Sequence, residues 1–304
     1  MAGASVTKAT VRGLVEFGVD LFERSGISYG HGTTNALDEA AWLILRSVGL
    51  APHELDSHLD EPLTAAQHAA AKALLERRVA TRKPAAYLLH EAWLGPHRFY
   101  VDERVIVPRS FIAELLLEDG ARSPFPSGAK PGLPAASPSS ILDLCTGSGC
   151  LAILAALRFP RARVDAADLS RQALEVAKRN VADYGLQDRV RLLASDLYSA
   201  LAGRRYDLIL SNPPYVKAAS MRTLPAEYRE EPAVALASGA DGLDHTRAIL
   251  AGAREHLNPG GVLVVEIGHN RRALRKAYPE VPFEWPRASA GRGFVFTLAR
   301  ERLP

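Results

Sequence analysis

Residues 139–157 constrain the fold most. Ser139-Ser-Ile141-Leu142-Asp143-Leu144 reads as a short buried strand running into the turn Gly147-Ser148-Gly149. The apolar stretch Cys150-Leu-Ala-Ile-Leu-Ala-Ala-Leu157 follows at once and reads as a helix. Strand, glycine turn and helix make the junction at which a backbone can approach a bound molecule closely. Beyond residue 140, strands and helices alternate, which predicts a doubly wound α/β sheet.

The next segment, Ala162-Arg-Val164-Asp-Ala-Ala-Asp168, predicts a second strand ending in an acid. An acid at that distance past the glycines suits a ribose-hydroxyl acceptor. The dinucleotide pattern G-x-G-x-x-G is incomplete, because position 152 is Ala. S-adenosylmethionine has ribose hydroxyls and no phosphate, so it fits this loop better than a dinucleotide. Val190-Arg-Leu-Leu193-Ala-Ser195-Asp196 predicts a third strand, with Asp196 or a neighbouring backbone group near the adenine amino group. The plainer reading of Asp196 is a helix or turn cap. Asp143 could be a turn-stabilising acid, but a role toward the donor's amino group is favoured. Thr146, Gly147 and Gly149 are assigned to the donor side with it.

Asn212 follows Gly147 by 65 positions, in Ser211-Asn212-Pro213-Pro214-Tyr215 after the strand Tyr206-Asp-Leu-Ile-Leu210. Proline has no backbone N–H, so this turn offers carbonyl and side-chain oxygens and no main-chain donor at its prolines. The two rings pre-aim those acceptors. Such a corner suits a planar –NH2 group, with Tyr215 supplying a flat face for stacking. Gripping both N–H groups would turn the delocalised lone pair toward a methyl donor. Read without the glycine turn, Asn-Pro-Pro is an ordinary tight turn. With it, the pair points to N-methylation, with Asn212 near the donor as well as the acceptor. No general base is evident within the turn, so the proton is expected to leave to water.

At these residues the chain resembles the HemK-like protein-glutamine N5-methyltransferases over nearly its whole length. The resemblance includes Glu231-Pro232-Ala-Val-Ala-Leu236, Gly239-Ala-Asp241-Gly242-Leu243, and Asn258-Pro259-Gly260-Gly261 before Val262-Leu-Val-Val-Glu266-Ile-Gly268. Val101-Asp-Glu-Arg104-Val-Ile-Val107-Pro108-Arg109-Ser110 is most similar to the branch acting on large-subunit ribosomal protein three. The branch acting on peptide-chain release factors would read Pro-Arg-Pro-Asp-Thr-Glu there. Phe111 stands where the ribosomal branch commonly has Pro, which leaves the pocket wall beside the donor open. The resemblance implies that Asn212 and the Pro213 carbonyl hold a glutamine amide, with Pro214 and Tyr215 completing the catalytic turn. It implies a donor site at Gly147, Gly149, Asp168 and Asp196, to which Arg109 is also assigned. It implies a class I, Rossmann-like methyltransferase domain over 141–304, a helical substrate-recognition domain over 1–90, and a β-hairpin, helix and Pro-rich linker over 91–140. Donor S-adenosylmethionine would become S-adenosylhomocysteine, without a metal.

Two other classes stay open. A base-modifying enzyme would present the same acceptor chemistry, but would want a basic channel and extra aromatics; aromatics are 7% here. A donor-binding assembly protein without chemistry would not need an intact 212–215 turn. The 304 residues carry a net charge of +3, which permits contact with RNA-coated particles without requiring it. Cys145 and Cys150 flank the glycine turn and are read as packing residues. The nine histidines show no metal spacing. No signal segment or membrane span is indicated, so a cytoplasmic protein is expected.

Residues 5–85 predict helices: Thr10 to Arg24, one capped by Thr34 or Asn35, and Thr64 to Arg82. The basic end Arg77, Arg78, Arg82, Lys83 reads as a solvated terminus or as a contact with rRNA or a nascent ribosomal protein, and an assembling ribosomal particle is a candidate partner of the chain as a whole. Glu91 to Val107 predicts a β-hairpin, Ser110 a cap for the helix Phe111 to Glu118, and Ala121 to Ser140 a weakly ordered linker. Phe283–Trp285 and Gly293–Leu298 predict a terminal antiparallel hairpin. Residues 216–242, including Glu227 to Glu231, form an insertion placed to select a substrate or to brace that hairpin.

Overall fold

The computed structural model describes residues 9–117 and 137–304. The chain forms two compact units, one of residues 1–91 with 224–230, the other of residues 92–223 with 231–304. Most of the expected linker, and the first eight residues, lie outside the described residues.

The first unit packs the helices Val11–Arg24, Ala36–Ser47 and Ala65–Thr81 against one another. Thr10, Asn35 and Thr64 cap them through their side-chain oxygens, so Asn35 and not Thr34 starts the second helix. Thr64 and Gln67 satisfy each other's backbone N–H groups reciprocally. Gly18 lets the first two helices approach closely, since a Cβ there would lie 2.9 Å from that of Ala40. The basic end of the third helix is corrected by its surroundings. Arg78 is fully buried, with Nε 2.6 Å from Glu39 and Nη1 3.6 Å from Glu227. Arg82 donates to Glu227 and to the Ser25 and Gly26 carbonyls. Two of the four expected surface cations therefore neutralise buried carboxylates, which would be costly to leave unpaired.

The second unit opens on a hairpin of Ala92–Leu94 with His97–Phe99, shorter than the predicted one. Val105 and Val107 are buried, but residues 105–107 form no strand. Ser110 does cap Phe111–Leu117, accepting from the Ile112 amide. The central sheet has six strands, in the spatial order Val295–Ala299, Leu257–Glu266, Tyr206–Ser211, Ser140–Leu144, Arg163–Asp168, Val190–Ala194. Only Val295–Ala299 runs antiparallel. Alternating side chains feed two cores: Ile141, Leu208 and Leu210 on one face, Leu142, Ile209 and Leu263 on the other. The predicted terminal hairpin reduces to one bridge between Glu284 and Thr297, because Val295–Ala299 pairs with Leu257–Glu266 instead. From Ser140–Leu144 the strand order runs outward in opposite senses, toward Arg163–Asp168 and toward Tyr206–Ser211. In open α/β sheets the crevice beyond such a switch, at the strands' carboxyl ends, is where ligands bind. Both the glycine turn and the Asn-Pro-Pro-Tyr turn leave the sheet there.

Candidate active site

A cavity of about 320 Å³ occupies that crevice. Of the residues singled out in the sequence, Gly147, Asp168, Asp196, Asn212 and Pro214 line it. Asp143, Thr146, Gly149, Arg109, Pro213 and Tyr215 do not.

The glycine turn is tied down from below. Asp143 is fully buried; its Oδ2 accepts from the Thr146 hydroxyl at 2.5 Å and from the Ala152 amide at 3.1 Å. Burial pushes its carboxyl up to about 7. Neither Asp143 nor Thr146 lines the cavity: the Thr146 hydroxyl is spent on Asp143 Oδ2, and Asp143 Oδ1 is buried without a hydrogen bond among the described residues, so the pair braces the turn from beneath where a contact with the donor was expected. Gly149 (φ +80°) starts the helix Cys150–Arg158, and a Cβ there would meet that of Ala177 at 3.1 Å. Its glycine requirement thus combines a left-handed backbone with close packing.

Asp168 spans the turn from the side. One carboxylate oxygen accepts from Gly147 N and the other from Ser170 N, both at 2.8 Å. Each oxygen keeps a second lone pair, and the residue borders the cavity. Burial raises its pKa against those two hydrogen bonds. Asp196 is exposed to the cavity, and its carboxylate makes no hydrogen bond among the described residues; the local turn is closed by its main chain and Ser199. The backbone on both sides of this wall is unusual, with Cys145 at φ +59° and Leu197 at φ +45°. Residues held in this region concentrate at functional sites. Desolvation pushes the Cys145 thiol well above its usual range, which fits packing and not nucleophilic attack.

The second turn is held by residues the sequence did not single out as site residues. Ser211 is fully buried and donates to the Leu144 carbonyl at 2.9 Å, locking the two strand ends together. The Tyr215 carbonyl accepts from Asn270 at 2.7 Å. The Tyr215 ring lies on Gly268, where a Cβ would fall 2.7 Å from it, and its hydroxyl is 3.5 Å from Glu266. Tyr215 therefore packs behind the turn and is not a face of the cavity, a correction to its expected stacking role. The Asn212 carboxamide makes no hydrogen bond among the described residues and borders the cavity.

Arg109 is corrected likewise. Its guanidinium grips Glu231 through two 2.6 Å contacts, and Glu231 also accepts from the Val107 amide. A buried carboxylate claims the cation expected at the donor. The insertion does reach the site, through Pro232, Val234 and Ala235 in the cavity wall, whereas Glu227 and Tyr228 belong to the helical unit. His245 also lines the cavity, its Nδ1 2.9 Å from the Ser238 hydroxyl. No metal-binding cluster occurs and no helix is long and apolar enough to cross a membrane, among the described residues.

Comparison with known proteins meets this geometry from outside. The methyltransferase small domain family matches residues 131–228, and the PrmC N-terminal domain family matches residues 30–89. The ribosomal protein uL3 glutamine methyltransferase of Neisseria meningitidis serogroup B is 53% identical over 295 residues, 97% of this chain and 94% of that protein. Its namesake in Burkholderia pseudomallei is 50% identical over 302 residues, 97% and 96% of the two chains. That of Bradyrhizobium diazoefficiens is 46% identical over 292 residues, 95% and 90%. With half its residues shared along almost all its length, this chain belongs to the uL3 glutamine methyltransferase family.

Proposed function

We propose that this protein methylates the side-chain amide nitrogen of a glutamine in ribosomal protein uL3, in the cytoplasm, using S-adenosylmethionine. The observation that carries this reading is the unengaged Asn212 carboxamide, on the wall of the cavity that Gly147 and Asp168 line. The cavity suits the donor: Asp168 has lone pairs left for ribose hydroxyls, Asp196 is open to an amino group, and Leu197 and Val234 offer apolar wall. When bound, S-adenosylmethionine supplies an electrophilic methyl carbon on a sulfonium. Asn212 Oδ1 accepts one of the amide N–H groups, which fixes the nitrogen and draws its lone pair out of conjugation; the Pro213 carbonyl, which the resemblance assigns to the other N–H, belongs to a residue that does not line the cavity. The nitrogen gains the methyl carbon, the carbon–sulfur bond breaks toward sulfur, and one N–H proton then leaves to water. Tyr215, Asn270 and Ser211 hold the turn still while this happens.

The test offers labelled S-adenosylmethionine with purified uL3, release factor, naked rRNA and DNA in parallel. Label on a uL3 glutamine is the expected result. Label on release factor would reassign the substrate, label on a base would remove the protein reading, and no label would leave a donor-binding assembly protein.

A further inference from the structure

Positive charge is distributed unevenly along the chain. Residues 271–292 hold six cations, Arg271, Arg272, Arg275, Lys276, Arg287 and Arg292, against two acids, Glu280 and Glu284. That net of four exceeds the +3 of the whole chain, so everything outside these 22 residues is net negative by one. The six are joined in space. Arg271, Arg272, Arg275 and Lys276 line one shallow recess of about 390 Å³ on the helix Arg271–Ala277. The Arg271 guanidinium lies 4.7 Å over the Trp285 ring, and Arg292 donates to the Trp285 carbonyl. Arg292 stands directly opposite Arg287 in a two-residue ladder. None of the six is ion-paired among the described residues, and Glu284 is taken by Arg302.

A second arginine-rich recess lies where Arg163, Arg189, Arg191, Arg204 and Arg205 converge. There Asp165 pairs with both Arg191 and Arg204, and Arg189 is spent on backbone carbonyls. That recess sets Asp165 and Asp188 among its five arginines, whereas the recess on Arg271–Ala277 is lined by four cations and no acid. Placing like charges opposite one another, as Arg287 and Arg292 are, is destabilising in the free protein, and a polyanion relieves it.

We propose that the 271–292 face binds the phosphate backbone of RNA. Five of the six cations are arginines, whose planar fork matches phosphate in two hydrogen bonds. A lipid surface fits less well, because Leu274, the helix's large apolar residue, is fully buried in the protein's own core and cannot insert. RNA is favoured over an acidic peptide on the reading given under Proposed function, since a ribosomal protein is met beside rRNA. The face then brings the enzyme to an RNA-bearing particle without taking part in methyl transfer.

The experiment measures binding of a fluorescent RNA stem-loop between about 50 and 200 mM salt. It compares the full chain with the variant Arg272→Glu/Arg275→Glu/Lys276→Glu, all three exposed. Affinity is expected to drop about tenfold or more. The slope of log affinity against log salt should flatten by roughly two to three, close to one per lost phosphate contact. Methylation of isolated uL3 should be unchanged. Equal RNA binding by both proteins, no binding by either, or equally tight binding of polyglutamate would each overturn the proposal. Failure of both proteins to methylate uL3 would remove the proposed activity while leaving the RNA result to stand or fall by itself.

Discussion

Asn212 is half-buried at the cavity with its carboxamide uncommitted. Replacing it with Ala removes one acceptor for the amide but touches none of Gly147, Asp168 or Asp196. Turnover is expected to fall by about 100-fold or more, with donor affinity by calorimetry unchanged; lost donor affinity would contradict this division of labour. Glu266 makes a second prediction. It accepts from Ser110 and from the Phe111 amide, yet burial outweighs these and pushes its carboxyl up from 4.5 to about 7. A carboxyl raised in the folded state contributes most below about pH 4.5 and loses that contribution as pH rises to about 7. Unfolding free energy should decline across that window. Glu266→Gln should remove up to about 3 kcal/mol of the decline, read from urea titrations at several pH values. At this scale residue type and order singled out Asn212, Asp168 and Asp196, and the fold brings all three to one cavity. The sequence was silent where burial decides. Nothing in the spelling of Asp143 or Arg109 says that Thr146 and Glu231 will claim them.

The glycine turn joins strand to helix, and its two glycines should fail differently. Both have positive φ, so either Ala variant costs about 1–2 kcal/mol in backbone strain. Gly149→Ala adds a 3.1 Å approach to Ala177, whereas a Cβ on Gly147 meets nothing within 4 Å. Denaturant unfolding should therefore show the larger loss for Gly149→Ala. Calorimetry should show the larger loss of donor affinity for Gly147→Ala, since only Gly147 borders the cavity. Helices and parallel strands were readable because apolar period and capping residues are local. The C-terminal hairpin was not, because Val295–Ala299 finds its partner about 30 residues back, in a strand whose edge it covers. His245, Leu197 and Val234 reach the cavity only through tertiary folding, and no local pattern marks them.

Across the whole molecule, Arg78 is the side chain on which the helical unit most depends. Its loss would leave the buried Glu39 with the Thr33 hydroxyl but no close cation, and Glu227 with Arg82 as its remaining cation. Arg78→Ala is expected to cost about 3–5 kcal/mol, measured as a lowered urea midpoint; a change within about 0.5 kcal/mol, the range of an ordinary surface substitution, would contradict the burial argument. The division into a helical unit and an α/β unit followed from the change of period along the chain. That Leu224–Glu230 returns to the helical unit did not, because it rests on tertiary contacts alone, Glu227 against Arg78 and Arg82 and the Tyr228 ring against His31.

That return has a consequence for biosynthesis. The ribosome delivers Arg78 and Arg82 long before Glu227, and Leu224 emerges 133 positions after Glu91. Until then the nascent helices hold a guanidinium cluster with one of its two carboxylates missing. The amino-terminal unit thus reaches its final charge balance only after the four strands from Ser140 to Ser211 have left the exit tunnel.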